Sequence, residues 1–379
     1  MRWFAFRLVR KIIQAGIVFC LILANLAACS PSPGVGDLER VLQTSWRSYA
    51  RRYISPEGRV VLSDRGGESI SEAQAYALMR ALWAGDEAAF ARVYAWTRGN
   101  LCRLETQGDH LLAWHWGQRA DGSWGVLDWN TAADADLDYA MALWLAGRRG
   151  WKAPPPWPEY GTEARAAAAD ILAKEVVQLP SGEHLLAPGN WHEFETPYLL
   201  NASYFSPGAY RLFAQAGFEP RWQTLRQSVY PVLTALGRGL GDMPGVGLFP
   251  DWVQLNADGV FSPAPGRDAH FGWEAVRLPW RLALDRLWFG EEQAARLLSQ
   301  NFLSFFKQEW QNRGKLPAVY SYEGQPLVDY ESPVLYAGVL AAALAAGDQE
   351  FAQEMALKIL SFYREEGDDA YFVTPDNYY

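Results

Sequence analysis

The chain has 379 residues, with 34 basic against 43 acidic side chains, a formal net charge of −9, and an aromatic load that includes 18 tryptophans. The acidic balance excludes a basic groove for nucleic acid, so no nucleic-acid partner is expected. The length is enough to bury a large core in one domain of toroid or barrel size.

At the N-terminus Arg2, Arg7, Arg10 and Lys11 precede an apolar run from Ile12 to Ala28, the charge-then-apolar order of an export signal. Gln14 and Asn25 interrupt that run, which makes it a poor permanent span, since a bilayer asks for roughly 20 predominantly apolar residues. Leu26-Ala27-Ala28-Cys29 resembles a bacterial lipobox, in which signal removal leaves Cys29 as a lipid-bearing N-terminus; an ordinary small-residue cleavage site beside Cys29 is the alternative. Residues 1–29 are therefore read as a lipoprotein-type signal peptide, 30–37 as a flexible tether rich in Pro, Gly and Ser, and 38–379 as a single domain. Cys20 leaves with the signal and Cys29 takes the lipid, so Cys102 is alone in the mature body and no disulfide is expected. An exported monomer follows, touching a membrane only through its anchor and facing the periplasm or the cell exterior.

Beyond the tether, apolar residues recur at three- and four-residue spacing. They predict helices over about 38–54, 70–84, 86–101, 134–149, 161–175, 207–216, 220–237, 273–288, 291–310, 331–346 and 348–365. Ser69-Ile70-Ser71-Glu72 has the form of a capping box, and Thr162 and Asp348 are further helix starts. Helices in pairs, strand-like pieces confined to loops such as 124–127, and no strand–helix alternation predict an all-α fold of helical hairpins closing on themselves. Trp114-His115-Trp116-Gly117, Gly122-Ser123-Trp124-Gly125 and Leu248-Phe249-Pro250-Asp251-Trp252 are aromatic loops of the kind that carry function on a compact scaffold.

Three acidic positions stand beside apolar helical sequence. Glu72 reads either as the last member of the capping box or as a carboxyl desolvated among aromatics, able to keep a proton as a general acid must, against the pull of the helix dipole. Asp134 and Asp136 open a strongly apolar helix, where aspartates are common for dipole reasons alone; two acceptor carboxylates at a cleft floor also suit paired sugar hydroxyls. Glu274 reads as an i,i+3 partner of Arg277, although Phe271, Trp273, Val276, Leu278 and Trp280 leave little polar face around it. Five histidines form no HExxH, one body cysteine makes no zinc set, and neither a phosphate-binding loop nor a G-x-S-x-G elbow is present. Metal-free and cofactor-free acid/base chemistry is expected. Isolated carboxylates with abundant indole rings are what hydrolysis of a polysaccharide requires, two carboxyl groups across the scissile bond and flat apolar faces for sugars. Trp114, Trp116, Trp124 and Trp273 are the candidate stacking platforms.

Ser71-Glu72-Ala73-Gln74-Ala75-Tyr76, Trp96-Thr97-Arg98, Leu112-Ala113-Trp114-His115-Trp116-Gly117 and Asn130-Thr131-Ala132-Ala133-Asp134-Ala135-Asp136 form an ordered set. Together they resemble glycoside hydrolase family 8, inverting enzymes that include the cellulase encoded beside bacterial cellulose synthases. The likeness runs from about Ile70 to about Gly347. It implies an (α/α)6 barrel, Glu72 as general acid and Asp136 as ligand of the sugar distorted at the cleavage point. Asn201-Ala202-Ser203-Tyr204-Phe205 is similar to the family's Asn-Pro-Ser-Tyr segment, which implies that Tyr204 positions water or sugar. The stretch that ordinarily reads Tyr-Asp-Ala-x-Arg is matched by Trp273-Glu274-Ala275-Val276-Arg277, implying Glu274 as general base and Arg277 as its supporting cation. Two departures stand out: Ala133 replaces a Ser or Thr, and Glu274 replaces the usual Asp, one methylene longer.

The expected activity is that of an endo-acting, inverting β-1,4-glycanase, with cellulose-like glucan the first substrate class. A catalytically impaired glycan-binding lipoprotein in polymer export is the rival, and xylan, mixed-linkage glucan or chitosan are alternative polymers.

Overall fold

The structure, a computed structural model, describes residues 35–179, 181–192 and 195–372. The expected signal peptide with Cys29, and residues 30–34 of the expected tether, lie outside them. Among the described residues no helix is long and apolar enough to cross a membrane. They form two compact units, residues 35–174 with 364–372, and residues 175–363.

The first unit contains α1 (Val35–Tyr53), α2 (Ser71–Ala84), α3 (Glu87–Asn100), the single turn α4 (Leu104–Gln107), α5 (Ala133–Arg149) and α6 (Tyr160–Lys174). Asp86 caps α3 by accepting the Ala89 N–H at 2.9 Å. Gly85 and Gly150 stop α2 and α5 in the left-handed conformation that favours glycine. Every residue of α5 from Ala133 to Leu143 is buried, so this stretch of the helix has no solvent face. Its alanines and those of α6, Ala164, Ala167 and Ala168, let the two helices pack closely. A three-stranded antiparallel sheet of β1 (Ser69–Ile70), β2 (His115–Gln118) and β3 (Trp124–Asp128) leads into α2.

The capping box does not form. Ser69 and Ile70 pair with Trp116 and His115, and the Ser69 hydroxyl donates to the Val60 carbonyl at 2.6 Å, so α2 starts at Ser71 without a side-chain cap and Glu72 stands in its first turn. Gln74 is fully buried. Its amide accepts the Val60 N–H and donates to Thr97 Oγ1 at 2.7 Å, tying α2 to α3 and to the loop before it. At the C-terminus, Asp348 does cap its helix, and Thr162 lies inside α6, which begins at Tyr160.

The second unit contains β4 (Val176–Gln178), β5 (His184–Leu186), β6 (Tyr198–Leu200), α7 (Pro207–Gln215), α8 (Arg221–Arg238), β7 (Gly239–Leu240), β8 (Met243–Pro244), β9 (Val253–Leu255) and β10 (Phe261–Pro263). There follow α9 (Leu278–Phe289), α10 (Glu292–Leu297), α11 (Leu303–Arg313), α12 (Pro333–Ala346) and α13 (Gln349–Phe362). The strands make small antiparallel sheets, one ordered β10-β9-β6. Helix pairs α7·α8, α9·α12 and α12·α13 carry the packing, and Phe271, Phe302, Phe306 and Tyr320 form an aromatic core with ring centroids 4.7–5.7 Å apart. The helix expected over 291–310 is α10 and α11 joined through a π turn at Leu298–Phe302. The helix expected from 273 begins at Leu278, after a 3-10 turn over Ala275–Arg277, with Pro279 in its first turn.

Candidate active site

In the first unit, the strand segment 112–116 joins two helix starts. The Ser71 N–H donates to the Trp114 carbonyl at 3.0 Å, and the Trp114 N–H to the Asn130 carbonyl at 2.8 Å. Two residues earlier, the Leu112 N–H donates to Asp136 Oδ1 at 2.7 Å. Glu72 in the opening turn of α2 and Asp134 and Asp136 in that of α5 are therefore linked through one piece of backbone, which also carries Trp114 and Trp116. Glu72 is half-buried, whereas Asp134 and Asp136 are 2 % and 0 % exposed. All three acids sit where unpaired helix N–H groups favour negative charge.

The aromatic side of this half is more occupied than expected. Trp116 stacks on Trp124 at 5.1 Å and meets the edge of Trp96 at 5.3 Å, and the Arg59 guanidinium lies 4.7 Å from the Trp116 ring and 5.4 Å from that of Trp124. Trp116 is thus held within the protein, and Trp124, 42 % exposed, is the outer ring of the stack. Trp114 stacks on His115, whose Nε2 is 2.9 Å from Glu68 Oε2.

Behind Asp136 lies a buried cluster that could be mistaken for a metal centre, since ligand atoms of Cys102, His110 and Glu163 come within 4.8 Å of one another. Arg98 already supplies the positive charge, its Nε 3.0 Å from Glu163 Oε1, with His110 Nδ1 at 3.2 Å from the same oxygen. Burial also pushes the Cys102 thiol up to about 11, away from the thiolate that a metal needs. The cluster is an ion-pair network that ties Arg98 of α3 and His110 to Glu163 of α6.

In the second unit, Tyr204, Glu274 and Arg277 come together. Asn201 Oδ1 accepts from the Ser203 N–H at 3.0 Å and from its hydroxyl at 2.7 Å, which closes the 3-10 turn Ala202–Tyr204 and aims the Asn201 amide outward. That amide donates to Glu274 Oε2 at 2.9 Å. Arg277, buried to 3 %, donates to the same oxygen and covers the Tyr204 ring at 5.3 Å. The i,i+3 pair is thus real but is no surface contact, because its cation is buried. Both partners of Glu274 are donors, the company an ionised carboxylate takes. Trp273 beside it is 43 % exposed, an open indole face. A cavity of about 590 Å³ in this unit, lined by residues such as Gln300, Asn301, Phe305 and Gln325, includes none of these side chains.

Two residues of this half escaped the reading of the sequence. Asn201 stood inside a segment singled out for Tyr204, and only the fold shows its reach to a carboxylate 73 positions away. Asp251, in an aromatic loop, is 5 % exposed, and only its burial marks it.

The chain is 33 % identical over 258 residues to an endoglucanase of Salmonella typhi, an alignment that covers 68 % of this chain and 65 % of that protein, just under two thirds of its length. It is 30 % identical over 300 residues to an endoglucanase of Escherichia coli (strain K12), covering 76 % and 72 % respectively. The solved endo-β-1,4-glucanase of Acetobacter xylinum superposes with a TM-score of 0.66 at 26 % identity, over 85 % of this chain and 99 % of that one. This likeness shows the fold class expected from the sequence, all-α of the (α/α)6 type. The family model for glycosyl hydrolases family 8 matches residues 14–374, and the chain belongs to that family.

Proposed function

We propose that this chain is an inverting endo-β-1,4-glucanase in which Glu72 is the general acid and Glu274 the general base. The observation that carries the reading is the holding of Glu274 by Asn201 and Arg277 next to an exposed tryptophan. A carboxylate kept charged and half-accessible can accept a proton from water, while Glu72, half-buried at a helix start, delivers one to the departing glycosidic oxygen. Asp134 binds sugar hydroxyls; Asp136, fully buried with Oδ1 held by the Leu112 N–H, cannot touch the sugar as the resemblance implied, and supports through its charge the positive charge that grows at the anomeric carbon. Tyr204 and Arg277 orient the base, and Trp114, Trp124 and Trp273 offer apolar faces to pyranose rings. The relatives named as endoglucanases support β-1,4-glucan as the polymer.

Export as a lipid-anchored monomer belongs to the same proposal. It is supported by Arg2, Arg7, Arg10 and Lys11 ahead of the apolar run and by Leu26-Ala27-Ala28-Cys29. The catalytic reading is tested by incubating the chain with a soluble β-1,4-glucan and following the new reducing ends by proton NMR. Immediate appearance of the α-anomer is expected; binding without product would instead favour a glycan-binding role.

A further inference from the structure

Asp251 Oδ1 accepts the backbone N–H of Gly272 at 3.0 Å and that of Ala275 at 2.6 Å, the two residues that bracket Trp273 and Glu274. A Cβ at position 272 would fall 2.7 Å from Asp251 Oδ2 and 2.8 Å from the His270 ring, so a side chain there would have to displace one of them. The loop that bears Asp251 is itself tied to the segment before the turn: the Asp251 N–H donates to the His270 carbonyl at 2.8 Å and the Trp252 N–H to that of Asp268 at 3.0 Å. One buried carboxylate thus pins both ends of the turn from which Glu274 projects. Arg277 faces both acids, donating to Glu274 and acting electrostatically on Asp251.

We propose that Asp251 is a positioning residue for the general base: it holds the Gly272–Ala275 turn so that Glu274 meets Asn201 and Arg277, and it couples its own charge to that of Glu274 through the shared guanidinium. This rests on the reading of Glu274 as the base. Burial lifts Asp251 to about 6, against the pull of the two N–H groups and Arg277. Asp251 therefore changes charge in the range where a hydrolase works. The other charged or titratable groups facing it are Glu274 and Arg277 from the turn and His270, whose Nε2 is 3.5 Å from Oδ2; His270 is in turn 3.9 Å from the exposed Asp268.

Above about pH 6 the Asp251 charge competes with Glu274 for Arg277 and below it does not, so the parent's pH profile should carry an inflection near that value, which an uncharged residue 251 lacks. An asparagine keeps the oxygen that accepts both N–H groups, whereas an alanine does not. The test compares pH profiles of kcat and KM on a soluble β-1,4-glucan for the full chain and for Asp251→Asn, Asp251→Ala and His270→Gln. Asp251→Ala is expected to lose at least about tenfold in kcat with KM within about twofold. Asp251→Asn should keep kcat within about threefold while the inflection near pH 6 disappears, and His270→Gln should leave that inflection in place. An inflection near pH 6 that persists in Asp251→Asn overturns the proposal, as does full kcat in a folded Asp251→Ala. Should the alanine variant fail to fold, the asparagine profile decides. Undiminished turnover in Glu274→Gln would remove the base reading itself, a result separable from either of those.

Discussion

The first unit presents Glu72, Asp134 and Asp136 from the opening turns of two long helices, whereas the second presents Glu274 just ahead of a single 3-10 turn. On the helical side, backbone geometry places the carboxylates, and the neighbouring segment accepts the Ser71 N–H at one helix start and donates the Leu112 N–H to Asp136 at the other. On the turn side, side chains far apart in the sequence do the placing: Asn201 and Asp251 from two loops, and Arg277 from the turn itself. The difference bears on the family departure, because the longer Glu274 lies on the side whose backbone is not helical. A turn held by side chains can shift by the length of one methylene more easily than a helix start whose C=O groups are committed to a ladder.

The largest effects should come from removing either carboxyl and should not distinguish the two sides. Glu72→Gln and Glu274→Gln are each expected to lower kcat on carboxymethylcellulose by about a thousandfold while leaving binding near that of the parent. Near-parental turnover in either variant would end that residue's assignment. Arg277→Lys sharpens the comparison: the turn side depends on a planar guanidinium that meets Glu274 and covers Tyr204, so about a tenfold fall in kcat is expected despite the retained charge.

The helical side should answer differently, in stability rather than rate. Gln74→Ala leaves the buried Val60 N–H without its acceptor and cuts the tie to Thr97, so denaturant unfolding should show a loss of about 2 kcal/mol with kcat of the folded fraction unchanged. A fall in kcat instead would put Gln74 in the site. The smallest effect concerns pH. The hydrogen bond to Glu163 raises His110 above its ordinary value. The folded state thus holds this proton more tightly, so the contribution is full below the unfolded value, about 6.5, and fades as pH rises through the higher folded value. His110→Gln should flatten the fall in melting temperature over that interval, and an unchanged slope would exclude the pair as its source.

How much could be read in advance follows the same division. Helix periodicity announced α2, α5 and their partners, and the acids at their starts stood out because a carboxyl in the first turn of an apolar helix has a recognisable local pattern. Ser69 misled, because a capping box and a strand residue ahead of a helix look alike until the pairing with Trp116 is known. On the turn side the Glu274–Arg277 pair stood out by its i,i+3 spacing, and its role was legible only through the resemblance to a family motif. Nothing local to Asp251 or Asn201 tells that their oxygens and amide reach another segment, and the 3-10 turn at 275–277 was hidden under helix-like spacing. Trp116 shows the complementary limit: an indole in a loop signals a platform, but only the rings of Trp96 and Trp124 and the Arg59 guanidinium reveal that it is already engaged.

The central claim is that Glu72 and Glu274 act as an inverting pair. It is tested most directly by a crystal structure of the Glu72→Gln variant with a β-1,4-linked oligosaccharide spanning the cleavage point, from which the separation of the two side-chain termini is read. The account predicts roughly 6.5–9.5 Å, with one water held by Glu274 on the face of the sugar opposite residue 72. A separation near 5 Å, or either side chain directed away from the sugar, would contradict it.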